Sequence, residues 1–338
     1  MLYAVSRPEC WDRGSFLMSR LPHRFVCLIA WLSMVSFAQA YPDRPVRLIV
    51  PFAAGGGTDA MTRILADRLQ QRLGPRFLVE NVAGAGGNAG ADRASHAQPD
   101  GYTLLIGSMG ILTVNPWIYA STGTAILDRL VPVSMIFDTG HIFVVNPALK
   151  AASLEEVAYL ARISEKPLTF ASGGVGTSTH LYAELFKLAV KAPMTHVPYR
   201  GNGPGLTDVV AGHIQIMFDQ IASASEHAKA GSVRPLAVTT KQRLSFLPNV
   251  PTAAEAGYPQ LMGTSWTALM APQGTPPEII AVLGRALAEI AAEPETRKKI
   301  EALGANILAS TPQETGEIIA HELERWRPVV KAAGITEN

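Results

Sequence analysis

The chain has 338 residues, 48% of them hydrophobic, and sets 29 basic side chains against 28 acidic ones. So even a balance gives no field for nucleic acid or for an anionic membrane surface. The length suits one large or two medium domains, each with a core of its own.

The first forty residues have the three parts of a secretory signal. Arg20 and Arg24 form a positive start, residues 25–37 are a short apolar run, and Ala38-Gln39-Ala40 supplies a small-x-small site, so cleavage is expected after Ala40. The apolar run is shorter than the roughly 20 residues that a spanning helix needs. Cys27 opens that run instead of standing at the cleavage site, which argues against a lipid anchor. Met18 begins a better-proportioned signal and is the expected start of translation. With the segment go Arg7, Arg13, Arg20 and Arg24 against Glu9 and Asp12, so 29 basic and 28 acidic residues become 25 and 26. Cys10 and Cys27 leave too, and the mature chain has no disulfide, thiol nucleophile or thiolate metal site.

From there strand and helix alternate. Val46 to Val50 is a continuous apolar run, followed by a glycine-rich loop and a helix with Met61, Ile64, Leu65, Leu69 and Leu73 on one face. Gly74-Pro75 ends that helix, and residues 77–80 form the next strand. Pro99-Asp100-Gly101 turns into the strand YTLLIG, and Ser153-x-x-Glu156 is a capping box for a helix to residue 163. Residues 168–171 read as a strand leading to a second glycine-rich loop, Ser172 to His180, and another helix. Residues 214–218 and 235–239 read as buried strands. The chain then turns helical, from Pro276 and again behind the capping box Thr311-Pro312-Gln313-Glu314. This alternation predicts an α/β fold with mostly parallel sheets, and the two glycine loops, about 120 residues apart, suggest one per domain.

Both loops follow a strand and open a helix, where free backbone N–H groups and the helix dipole favour an anion. Neither contains Arg or Lys. An anion there rests on amides and hydroxyls, which suits a carboxylate better than a polyphosphate. Gly-rich turns also occur simply because strand and helix must meet tightly. A rival reading is a nicotinamide dehydrogenase, because Gly55-x-Gly57-x-x-Ala60 with Glu80 further on fits the dinucleotide fingerprint. The lengthened turn over residues 51–54 and the export signal oppose it. Asp219, expected just after a strand, could meet a ligand or cap the next helix; Asp59 reads as a first-turn helix residue, and Trp266 as core ahead of a wall of the cleft. The histidines, His141 among them, read as scattered surface or core residues.

Taken in order, YPDRPVRLIVPFAAGGGTD, VENVAGAGGNAGAD, PDGYTLLIGS, FASGGVGTSTHL, HVPYRGNGPGLTDVVAGHIQIMFD, LPNVPTAAEAGYP and TSWTALMAP resemble the Bug family, the solute receptors of tripartite tricarboxylate transporters. The resemblance spans the whole mature chain. It implies a non-enzymatic, two-lobed, flytrap-like periplasmic binding protein, monomeric and without cofactor or metal. Lobe 1 would comprise residues 41–142 plus 264–338, and lobe 2 residues 143–263. It further implies that a small organic acid or amino acid is pinched by Phe52, Gly56, Gly57 and Thr58 from the first loop and Ser172, Gly176, Thr177 and Ser178 from the second, with Ser108 and Asp219 nearby. The partner would be a membrane transporter, or, with the same lobes, a sensory kinase. Ala53 and Ala54 depart from the family, which often has prolines there, and the segment TAILDRLVPVSM lacks its usual aromatic-proline run.

Overall fold

The computed structural model describes residues 41–119 and 123–335. The expected signal segment, its cleavage site, Met18 and both cysteines lie outside the described residues. Strand β1 (Val46–Val50) has four of its five residues buried, as befits a strand covered on both faces. In helix α1 (Gly57–Leu73), Met61, Leu65 and Leu69 point into the core at helical spacing, and Gly74 closes the helix at φ +92°. Strand β2 (Phe77–Asn81), helix α2 (Asn88–Ser95) and strand β3 (Thr103–Ser108) complete the first βαβ series. β1 pairs in parallel with both β2 and β3.

The long strand β4 (Leu130–Val145) follows, then α3 (Leu154–Ile163), β5 (Leu168–Ser172), α4 (Ser178–Val190), β6 (Met194–Pro198), α5 (Asn202–Ala211), β7 (Ile216–Gln220), α6 (Ile221–Lys229) and β8 (Arg234–Val238). Strand β9 (Thr264–Pro272) leads to α7 (Pro277–Ala292), α8 (Pro294–Glu301), β10 (Ala305–Ile307) and α9 (Pro312–Ala333). Both expected capping residues act as caps. Ser153 Oγ accepts from the Glu156 N–H, while Thr311 and Glu314 form the complete reciprocal box.

The strand order is β2-β1-β3-β9-β4-β7-β5-β6, with β8 and β10 also on β4. The expected parallel pairing holds for β1–β2, β1–β3, β5–β6 and β5–β7. β4 instead runs antiparallel to β7, β8, β9 and β10, because it threads the middle of both sheets. It pairs with β9 from Leu130 to Gly140, and from His141 onward its partner is β7. One strand therefore belongs to two sheets and changes partner between two adjacent residues. β7 also runs two residues further than expected, because Gln220 pairs with His141; Asp219 is thus within the strand instead of after it.

Each sheet has apolar packing on both faces. Around the first, β1, β3 and β4 bury Leu48, Leu104, Ile136 and Phe137 against α1 and α7, and Ile49, Leu105 and Met135 against the opposite layer with Trp326. Around the second, α3 and α4 cover Phe143, Phe170 and Phe218, while α5 and α6 cover Ile142 and Met217. Among the described residues, no helix is long and apolar enough to cross a membrane.

Phe143 is fully buried, with its ring edge-on to Phe186 at 5.0 Å and Phe218 at 4.5 Å. Truncation to alanine removes both contacts and opens a cavity. Phe143→Ala should cost about 3–5 kcal/mol in urea unfolding; a loss below about 1 kcal/mol would show that this ring does not anchor the second core.

Candidate functional site

The first glycine loop owes its shape to Asp59. From the first turn of α1, its carboxylate accepts from the Gly55 N–H at 3.1 Å, from the Asn81 amide at 3.0 Å and from two nitrogens of Arg63 at 3.1 and 3.0 Å. Asn81 donates in addition to the Phe52 carbonyl. Burial alone would raise the Asp59 pKa, but Arg63, Gly55 and Asn81 outweigh it and hold the carboxyl below its ordinary value. Asp59 is thus the first-turn residue expected, with its charge fully engaged inside the loop. The N-cap Gly56 has no side chain to bond the helix end, so the N–H groups of Gly57 and Thr58 have no intrahelical acceptor.

The second loop is tied in a different way. Ser172 Oγ accepts from the Gly174 N–H and meets His196 Nε2 at 2.6 Å, while the Gly173 N–H donates to Thr179 Oγ1. Thr177 caps α4 through Oγ1, which accepts from the His180 N–H and donates to the Gly174 carbonyl. The Gly176 N–H donates to His180 Nδ1. The glycine amides of this loop are therefore consumed by the loop itself. What remains for a ligand is the start of the helix, the N–H groups of Ser178 and Thr179 and the Ser178 hydroxyl.

The two helix starts face one cavity of about 30 Å³. Of the residues expected to bind, Phe52, Gly56, Gly57, Thr58, Ser108, Thr177 and Ser178 line it. Ser172, Gly176 and Asp219 stand behind its wall. Ser172 is fully buried on His196, and Asp219 accepts from the Gln220 N–H and from Ser223 Oγ, which braces the start of α6. Sequence reading passes over Asn202, Gln220, Ser265 and Thr267, and favours core over cleft wall for Trp266. Trp266 is 8% exposed and lines the cavity, and its Nε1–H has no partner. The last residues of strands β3 and β7 and the first of helix α5, which lie at the carboxyl ends of the sheets, were the available signal. Among the described residues, the only ionisable side chain lining it is Asp59, already neutralised by Arg63.

Across the cavity the two sheets touch directly. The Ala53 N–H donates to the Arg200 carbonyl at 2.9 Å, and Thr58 Oγ1 meets Gln220 Oε1 at 3.3 Å. A Cβ on Gly110 would fall 2.5 Å from the Gly176 carbonyl oxygen, so glycine permits that backbone approach. Glu80, the acidic residue of the dinucleotide pattern, pairs with Arg93 away from the cavity. Among the described residues, no group of three or more His, Cys, Asp or Glu is placed to hold a metal.

Burial also sets the charge state of the groups behind the wall. It pushes the Asp219 carboxyl up to about 7, despite hydrogen bonds from Ser223, Gln220 and Asn202. It pushes His141 and His196 down to about 3. A folded Asp219 pKa above its unfolded value contributes stability below about pH 4 that is lost as pH rises to 7. The two histidines act oppositely: their contribution is present above about 6.5 and lost as pH falls toward 3. Asp219→Asn should therefore gain roughly 1–3 kcal/mol relative to the parent between pH 5 and pH 8, read from urea unfolding at each pH. Parallel pH profiles of the two proteins would contradict this.

The model of the tripartite tricarboxylate transporter family receptor matches residues 61–335. Protein BugT of Bordetella pertussis is 39% identical over 300 residues, covering 88% of this chain and 91% of BugT. Among solved structures, the Rhodopseudomonas palustris protein Rpa4515 with adipate is 34% identical with a TM-score of 0.84, covering 88% of this chain and 99% of that one. MatC of the same organism, with bound malate, is 31% identical with a TM-score of 0.81, covering 86% and 100%. On these likenesses the chain belongs to the receptor family of the tripartite tricarboxylate transporters.

Proposed function

We propose that this receptor is exported, cleaved after Ala40, and binds a small carboxylate-bearing solute without transforming it. The observation that carries this reading is the convergence of two helix N-termini, α1 and α4, on one cavity lined by no basic side chain. Partial positive charge from both helix ends, with hydroxyls of Ser108 and Ser178, holds the carboxylate; Phe52 and Trp266 wall the rest. Adipate in Rpa4515 and malate in MatC support the same solute class here.

Lobe 1 is then residues 41–142 plus 264–338 and lobe 2 residues 143–263. The exchange of partners along β4 at Gly140 and His141 and the start of β9 at Thr264 support these limits. The cavity has room for one or two waters, so a larger solute enters only when the lobes separate. Binding then draws them together, and the closed pair presents the surface that a membrane transporter reads.

A thermal-shift screen of adipate, malate and other organic acids, each beside its neutral diamide, tests the ligand class. A binder at 100 times its Kd stabilises by about 2.7 kcal/mol, or about 5 °C for a protein of this size. Stabilisation by the neutral compounds and by none of the acids would refute the carboxylate reading. A Cβ at Gly57 would fall 2.8 Å from both Ala222 Cβ and Gln220 Oε1. Gly57→Val should therefore abolish the shift while leaving the far-ultraviolet circular dichroism unchanged.

A further inference from the structure

His141 stands where β4 changes partner from β9 to β7, and its imidazole is fully buried. Its Nε2 lies 3.0 Å from Ser178 Oγ, whereas Nδ1 has no hydrogen-bond partner. The Tyr182 ring packs over it at 4.3 Å between centroids. Ser178, by contrast, is half-buried and lines the cavity at the start of α4.

We propose that His141 is a positioning residue: it carries its proton on Nε2, donates to Ser178 Oγ, and so turns the Ser178 hydroxyl hydrogen toward the cavity. The site then selects a solute that brings a bare acceptor oxygen to the first turn of α4. This deepens the carboxylate reading above and rests on it for the identity of that oxygen.

A neutral imidazole has one proton for two nitrogens. Were it on Nδ1, a buried N–H would have no acceptor, and Nε2 could bond Ser178 only by taking the hydroxyl hydrogen. Ser178 would then show the cavity lone pairs alone, which repel a carboxylate. With the proton on Nε2, the group left unpaired at Nδ1 is a lone pair, and orphaned buried N–H groups are the rarer of the two. Nε2 is also the nitrogen that the neutral histidine side chain intrinsically prefers to protonate. Trp266 Nε1 has the same polarity, a donor at the cavity with no acceptor in the protein. Burial keeps the His141 ring neutral throughout the ordinary pH range.

Nitrogen NMR of the protein labelled with ¹⁵N-histidine reads the tautomer without any ligand, and the resonances absent from His141→Phe give the assignment. The expected spectrum has a protonated Nε2 and a bare Nδ1 at pH 6 and pH 8. A protonated Nδ1, or a ring charged at pH 6, overturns the proposal. Adipate, with malate as a second probe, reads the consequence by calorimetry. His141→Phe and Ser178→Ala should each weaken binding about tenfold, and the double variant no more than either alone. Additive losses in the double variant overturn the proposal, since a ring that only packed would act independently of Ser178. If the parent protein binds neither probe, the carboxylate reading fails for those acids, while the NMR spectrum still decides the proton's place.

Discussion

Hydrogen bonding along β4 admits no break, and most of the molecule is arranged around that fact. A strand that left one sheet before joining the next would strand buried N–H and C=O groups between them. β4 avoids this by passing from β9 to β7 at Gly140 and His141. Thr239 reinforces the passage. Its hydroxyl accepts from the His141 N–H and donates to the Gly263 carbonyl, immediately before β9 begins. One threonine therefore bonds the point where β4 changes partner to the residue that precedes β9.

Facing each other, the two glycine loops present backbone N–H groups where many anion sites present arginine. Each spends its internal hydrogen bonds on rigidity, through Asp59 in the first and through Ser172, Thr177 and Thr179 in the second. The N–H groups at the two helix starts are left over. One layer back, burial keeps His141 and His196 neutral and lifts the Asp219 carboxyl to about 7. The cavity wall keeps its polarity while carrying no net charge of its own.

Much of this was legible in the sequence. The apolar runs around Leu48, Leu104 and Phe170 and the capping boxes at Ser153 and Thr311 placed strands and helices, because their signals are local. The glycine loops pointed to the cavity for the same reason. What escaped depends on contacts between distant segments. β7 reaches Gln220 only because β4 supplies a partner there, so Asp219 was read as a loop residue. Gly176 is the local exception, since the ring that takes its amide, His180, is only four residues on. Trp266 reads first as core and His141 as a surface or core residue, since only the fold brings one to the cavity and the other to Ser178.

A cavity whose one lining charge is already paired has a kinetic consequence. Fixed charges draw an ion from a distance set by the Debye length, about 8 Å at physiological ionic strength, and that pull fades as salt rises. Helix-end dipoles act only within about a turn of the helix. With 25 basic and 26 acidic residues beyond the first forty, the whole surface adds little net pull. Encounter with a solute is thus left to diffusion, and recognition begins at contact. Such a receptor keeps its capture rate when the surrounding electrolyte changes, which suits a compartment whose ionic strength follows the outside medium.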